Sequence, residues 1–108
     1  MKVGLYLLVL VHLTACSMTL PVKGQMESGS ETFTGTATGY ADGGGNLTLV
    51  SSKGLSCSGD FVYVTGRTGE GTFTCSDGRS GPFSFVSTGT RGTGKGTIGG
   101  SPFTFSFG

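Results

Sequence analysis

Apolar and polar residues alternate with a period of two along most of the chain after residue 33. Thr, Ser and Gly alternate with Phe, Val, Leu and Tyr, as in Phe83-Ser84-Phe85. This period, the β-branched and aromatic residues, and the intervening glycine clusters are typical of β-strands. We expect an all-β fold of six or seven short strands, near 33–40, 46–51, 55–64, 70–76, 82–88, 95–99 and 102–107. No helical period occurs after residue 20.

A repeat with a period in the low twenties underlies this alternation. Each unit begins with Gly-x-Ala or Gly-x-Phe at 35, 59 and 81, continues with Gly-x-Gly at 43, 69 and 92, and ends with a turn dipeptide at 53, 77 and 99. We interpret a unit as a strand, a Gly-x-Gly turn, a second strand and a second turn. The unit is similar in outline to MORN repeats, although the chain has no Trp. We therefore expect an antiparallel meander that forms an open roll, a small barrel or a two-layer sandwich.

The first 16 residues have a different character. Lys2 gives a positive start, residues 3–13 are almost continuously apolar, and Leu13-Thr14-Ala15-Cys16 follows. The apolar run is shorter than the roughly 18–20 residues that a spanning helix needs, and it has the layout of an export signal. The last four residues resemble the lipobox of bacterial lipoproteins, in which a cysteine follows an aliphatic and two small residues.

The lipobox resemblance implies cleavage before Cys16 and acylation of that residue, which would anchor the chain to a membrane stably. In a Gram-negative host, Ser17 would favour the outer membrane, facing the periplasm. We therefore divide the chain into a signal peptide at 1–15, a lipidated N-terminus with a flexible tether at 16–32, and a glycine-rich β domain at 33–108.

Lipidation of Cys16 leaves Cys57 and Cys75, an even number in an exported protein. A hairpin centred on Gly66 pairs these two cysteines across neighbouring strands. The same register pairs Gly59 with Phe73 and Phe61 with Gly71, so that each aromatic residue covers a glycine. We predict a Cys57–Cys75 disulfide on these grounds. A metal or redox pair is a poorer interpretation, because the spacing fits neither.

No constellation for catalysis emerges, and we expect no enzyme activity, metal or cofactor. The single His lies in the signal segment, so the mature chain has none for a Ser-His-Asp arrangement. The segment 89–95 imitates the nucleotide-binding G-x-x-x-x-G-K, but Gly96 follows where Ser or Thr is needed. Loss of Lys2 leaves six Lys and Arg against six Asp and Glu. This balance argues against a nucleic-acid partner.

The most distinctive stretch is 75–83, where Asp77 and Arg79 could form a contact loop next to the disulfide or simply a stable turn. The leading expectation is a non-catalytic structural or protein-interaction domain with an envelope protein as its partner. The alternative is a small-ligand or glycan binder that stacks Tyr40, Tyr63 and the Phe side chains on an exposed sheet face.

Overall fold

A computed structural model describes residues 17–108, which form a closed barrel of eight antiparallel strands. Each strand pairs with the next, and β1 pairs with β8 to close the barrel. Within the described residues, no helix has the length and apolar character needed to cross a membrane. The strands are β1 (Ser17–Met26), β2 (Thr32–Tyr40), β3 (Gly44–Ser51), β4 (Ser56–Tyr63), β5 (Thr68–Cys75), β6 (Ser80–Thr88), β7 (Arg91–Ile98) and β8 (Ser101–Phe107).

The expected all-β antiparallel meander is confirmed, and of the three forms considered it takes the barrel. The strand count of six or seven is too low, because β1 lies within 16–32, the segment predicted to be a flexible tether. Only Val22 and Met26 are buried apolar residues in β1, so its alternating pattern is weak. Pairing with β2 and with the distant β8 holds it in place. Residues 1–16, with the predicted signal peptide and Cys16, lie outside the described residues.

Phenylalanine rings packed against glycines fill the barrel. An eight-stranded barrel has an interior just wide enough for side chains to fill, so large residues cannot occupy every inward position. Glycine takes many of these positions, and a Cβ added there would meet an aromatic ring of an adjacent strand. The pairs are Gly45 with Phe61, Gly59 with Phe73, Gly69 with Phe85, Gly71 with Phe83, Gly92 with Phe107 and Gly94 with Phe105.

Two of the three Gly-x-Gly motifs lie in strands, so their prediction as turns is wrong. Gly69 and Gly71 belong to β5, and Gly92 and Gly94 belong to β7. These glycines serve to leave room for rings rather than to reverse the chain. The turn dipeptides that close the units were predicted correctly, and Gly54 and Gly78 there have positive φ angles of 80° and 92°.

The β4–β5 hairpin has the predicted register. Cys57 lies opposite Cys75, Gly59 opposite Phe73, and Phe61 opposite Gly71. A disulfide joins the two cysteines, whose Cα atoms are 3.9 Å apart. In the chain-entropy model, closing a loop of this size stabilises the fold by about 3 kcal/mol. One detail differs from the sequence prediction, since the ring over Gly71 belongs to Phe83, which lies on its other neighbouring strand.

Substitution of Gly71 by alanine tests the ring packing. The new Cβ would lie 2.7 Å from Cζ of Phe83 and would also overlap the backbone oxygen of Asp60. We expect the free energy of unfolding to fall by about 1–3 kcal/mol, the usual cost of overpacking. Gly39→Ala is the matched control, because the Cβ at that strand position meets no atom within 4 Å. Equal stability of the two variants in urea denaturation would contradict the packing account.

Candidate functional site

The up-and-down topology gives the barrel two ends. We name the end at which β1 begins the mouth end, which also carries the β2–β3, β4–β5 and β6–β7 turns. The closed end carries the β1–β2, β3–β4, β5–β6 and β7–β8 turns. The two ends differ in their side chains and therefore in what they can do.

A buried ion pair lies at the closed end. Glu31, in the β1–β2 turn, is only 2% exposed. Arg79, in the β5–β6 turn, donates from both terminal nitrogens to its carboxylate, with Nη1 to Oε1 at 3.0 Å and Nη2 to Oε2 at 3.1 Å. Arg79 Nε also donates to Asp77 Oδ2 at 2.7 Å. This bidentate arrangement joins two turns that are 48 residues apart in sequence.

The ion pair favours the charged form of all three residues. Hydrogen bonds from Arg79 hold the pKa of the Glu31 carboxyl below its ordinary value; burial opposes this effect, and a hydrogen bond with Ser51 adds to it. The pKa of Asp77 is also lowered, chiefly by the backbone N–H of Arg79. The same contacts raise the pKa of Arg79. The Arg79 cation therefore stabilises both carboxylates, and both carboxylates stabilise the cation.

The predicted contact-loop residues thus have a structural role. Both Asp77 and Arg79 bind within the closed end, and the backbone oxygen of Arg79 accepts a hydrogen bond from Cys75 N at 2.8 Å. Contact of this loop with a partner stays a prediction. Sequence reasoning missed Glu31 because a single glutamate in a polar, glycine-containing stretch gives no signal that a distant arginine will cover it.

At the mouth end the packing is incomplete and leaves a cavity of about 430 Å³. Its floor consists of buried apolar side chains, namely Leu47, Phe61, Phe85 and Phe105. Its rim consists of more exposed residues, namely Met18, Tyr40, Ala41 and Tyr63. Below the floor the interior is filled, since Phe33, Phe73 and Phe103 are at most 1% exposed.

The barrel wall has a gap beside the mouth, where β8 is shorter than β1. The ladder between β1 and β8 ends at the pair Val22–Phe107, although β1 begins five residues earlier, at Ser17. Gly108 N donates to Pro21 O at 3.0 Å just beyond that pair. Residues 17–20 therefore pair with β2 alone, and Ser17, Met18 and Leu20 border the cavity on the side where β8 does not reach.

The polar groups that line the cavity are few and uncharged. None of the described residues that line the cavity has a charged side chain. The phenol oxygen of Tyr40 accepts a hydrogen bond from Asn46 Nδ2 at 3.2 Å, and Tyr63 donates to Ser87 Oγ at 3.5 Å. The rim of the cavity therefore carries two hydroxyl groups that can form hydrogen bonds, and its floor is apolar and aromatic.

The exposed acidic residues, the segment 89–95 and the aromatic residues do not come together in one site. Asp42, Asp60 and Glu70 are exposed, and Asp42 accepts a hydrogen bond from Gly44 N at 3.0 Å within its turn. The segment 89–95 spans the β6–β7 turn and the start of β7, with no helix after it. Tyr40 and Tyr63 lie at the mouth, while most of the phenylalanines lie inside the barrel.

Comparison with known proteins identifies similar structures but no family. No family model and no curated protein matches the chain. The redesigned β-barrel mFAP1, bound to DFHBI, has a TM-score of 0.68 at 17% identity and covers 82% of this chain and 90% of its own. A de novo designed fluorescence-activating β-barrel has a TM-score of 0.63 at 14% identity over 82% and 88%. A further redesigned barrel, b11L5F_LGL, has a TM-score of 0.66 at 19% identity over 82% and 86%. At these identities the likeness shows the fold alone.

Replacing Arg79 by methionine tests the ion pair at the closed end. This change leaves the Glu31 carboxylate buried without its cation, so we expect a loss of about 3 kcal/mol in unfolding free energy at pH 7. The loss should be at the low end of the range for buried pairs, because 28% of the Arg79 side chain is exposed. Arg67→Met, at an exposed arginine, is the control and should change stability little.

The pH dependence gives a second readout of the same variant. Because the folded-state pKa of Glu31 is lowered, its stabilising effect is present above the ordinary value of 4.5 and is lost as the pH falls through the folded-state pKa. Without Arg79, the pKa of Glu31 loses the largest cause that lowers it, and burial, which raises it, is opposed only by Ser51 and Lys53; the stabilising contribution of Glu31 therefore becomes smaller. Urea denaturation from pH 7 to pH 3 should therefore show a smaller gap between the two proteins at low pH. A constant gap would contradict the ion-pair account.

Proposed function

We propose that this chain is a lipid-anchored envelope protein whose barrel binds a small, uncharged, mainly apolar molecule in the mouth cavity and catalyses no reaction of it. The observation that carries the proposal is the contrast within one barrel. The interior is filled with side chains from the closed end to the cavity floor, and at the mouth an aromatic cavity stays open.

The size and lining of the cavity support this proposal. Ligand cavities commonly measure about 300–1,000 Å³ and are lined by apolar and aromatic side chains with a few polar groups. The mouth cavity, at about 430 Å³, falls in this range, with Tyr40 and Tyr63 at its rim. Eight-stranded barrels of other proteins can hold one small ligand, and mFAP1, a structural neighbour, is described as bound to DFHBI.

The interaction-domain hypothesis has less support from the geometry. A common way for a β domain to bind a protein is to add a strand at an open sheet edge. In residues 17–108 every strand has two neighbours, and the longest stretch that pairs on one side alone is residues 17–20 of β1. We therefore place ligand binding in the mouth first and retain the interaction role as the second candidate.

The anchor is proposed from the lipobox resemblance at Leu13–Cys16. Acylation of Cys16 would hold the barrel at a bacterial membrane, and in a Gram-negative host Ser17 favours the outer membrane, facing the periplasm. A ligand that is apolar enough for this cavity would also be concentrated at such a membrane.

Binding of N-phenyl-1-naphthylamine tests the ligand proposal, because this uncharged aromatic probe becomes fluorescent in apolar surroundings. Ala37 lines the cavity, so Ala37→Phe should fill part of it. We expect the affinity for the probe to fall at least about tenfold, equivalent to 1.4 kcal/mol. Thr36→Phe is the matched control, since it adds the same ring one residue away on the exposed face of β2.

The control variant should bind the probe like the unchanged protein. Absence of probe binding by the unchanged protein, or equal binding by the Ala37→Phe variant, would refute a ligand site in the mouth.

A further inference from the structure

Large exposed apolar side chains are concentrated around the mouth. Seven such residues occur among the described residues, and six of them lie at the mouth end. Val62 and Val64 are 57% and 60% exposed, although burial of a valine side chain lowers the free energy of the folded protein. We name this set the apolar collar, and it comprises Met18, Tyr40, Val62, Tyr63, Val64 and Val86.

The seventh residue, Val50, lies far from the collar. It pairs with Ser56, which is six residues before Val62 on β4. At 3.3 Å per residue, Val50 is therefore about 20 Å away along the barrel wall. Elsewhere the outward positions are mostly Thr and Ser, as in the stretches Thr72–Thr74 and Thr104–Ser106. The apolar surface is thus a property of one end and not of the whole wall.

We infer that the apolar collar rests on the lipid bilayer, so that the mouth cavity opens toward the membrane. This inference deepens the proposed function and rests on its lipid anchor at Cys16. Ser17, at the mouth, is bonded directly to Cys16, and consecutive Cα atoms are 3.8 Å apart. Acyl chains on Cys16 would therefore enter the bilayer next to the collar, because β1 takes up the residues that a long spacer would need.

The chemistry of the collar and its surroundings fits a bilayer interface. Valine and methionine side chains match the acyl region, and tyrosine is enriched where the acyl region meets the headgroups. Arg67 lies in the β4–β5 turn and Arg91 is the first residue of β7; both are exposed at this end, where their guanidinium groups could reach lipid phosphates. A membrane-facing mouth would admit an apolar ligand from the lipid phase without passage through water.

A pair of single-tryptophan variants tests this orientation. The chain has no Trp, so Val64→Trp and Val50→Trp each introduce one reporter, at the collar and at the distant control position. Both valines are more than half exposed, so the larger ring should be tolerated. Each full-length lipoprotein is expressed in bacteria, purified in detergent and reconstituted into phosphatidylethanolamine–phosphatidylglycerol vesicles that contain brominated lipid.

Bromine quenches only tryptophans that enter the acyl region. We expect the emission of the Val64→Trp protein to fall about twofold relative to vesicles without bromine, since interfacial groups penetrate about 5–10 Å. The emission of the Val50→Trp protein should not change. Equal quenching of the two variants, or none at position 64, would overturn the inference.

Two further measurements on the same samples separate this inference from the proposed function. Intact mass reports whether Cys16 carries acyl groups. The naphthylamine probe also fluoresces in lipid, so cavity binding is measured as the difference in fluorescence between each protein and the same protein with Ala37→Phe added, in vesicles of the same composition. An acylated protein that binds the probe without quenching at position 64 overturns the orientation alone. An unacylated protein without quenching overturns the anchor and the orientation together. Quenching at position 64 without probe binding supports the orientation and refutes the ligand site.

Discussion

The packing of phenylalanine rings against inward glycines is the constraint on which the barrel depends. Closing eight strands makes a narrow interior, and a large side chain at every inward position would overfill it. Glycine at inward positions prevents this overfilling. At Gly94 on β7, for example, the ring of Phe105 on β8 occupies the space that a side chain would otherwise take. The high glycine content, 22 of 108 residues, therefore reflects tight packing as well as turn formation.

The same packing creates the difference between the two ends. Toward the closed end, rings such as Phe73 and Phe103 lie in contact, with centroids 5.1 Å apart, and the Glu31–Arg79 ion pair lies at the same end. Toward the mouth, Phe61 and Phe85 form the last buried layer, and no corresponding ion pair lies above them among the described residues. An interior that is stable at one end and open at the other can hold a ligand without losing its core.

Local patterns in the sequence predicted much of this fold. The period of two located seven strands within a few residues, and the hairpin register gave the Cys57–Cys75 disulfide, because both depend on neighbouring parts of the chain. The strand β1 was missed because its partner β8 is far away in sequence and its own inward residues are partly small. Glu31 was missed for a similar reason, since its burial depends on Arg79. The cavity depends on how all eight strands close, which no local pattern records.

Methyl NMR spectroscopy gives the most direct test of a barrel that is filled at one end and open at the other. Leu47 lines the floor of the mouth cavity, Ile98 is buried at the closed end, and Val50 lies on the outer wall. On titration with N-phenyl-1-naphthylamine, the account predicts shifts of the Leu47 methyl signals and unchanged signals from Ile98 and Val50. Shifts at Ile98 or Val50 with Leu47 unchanged would contradict it.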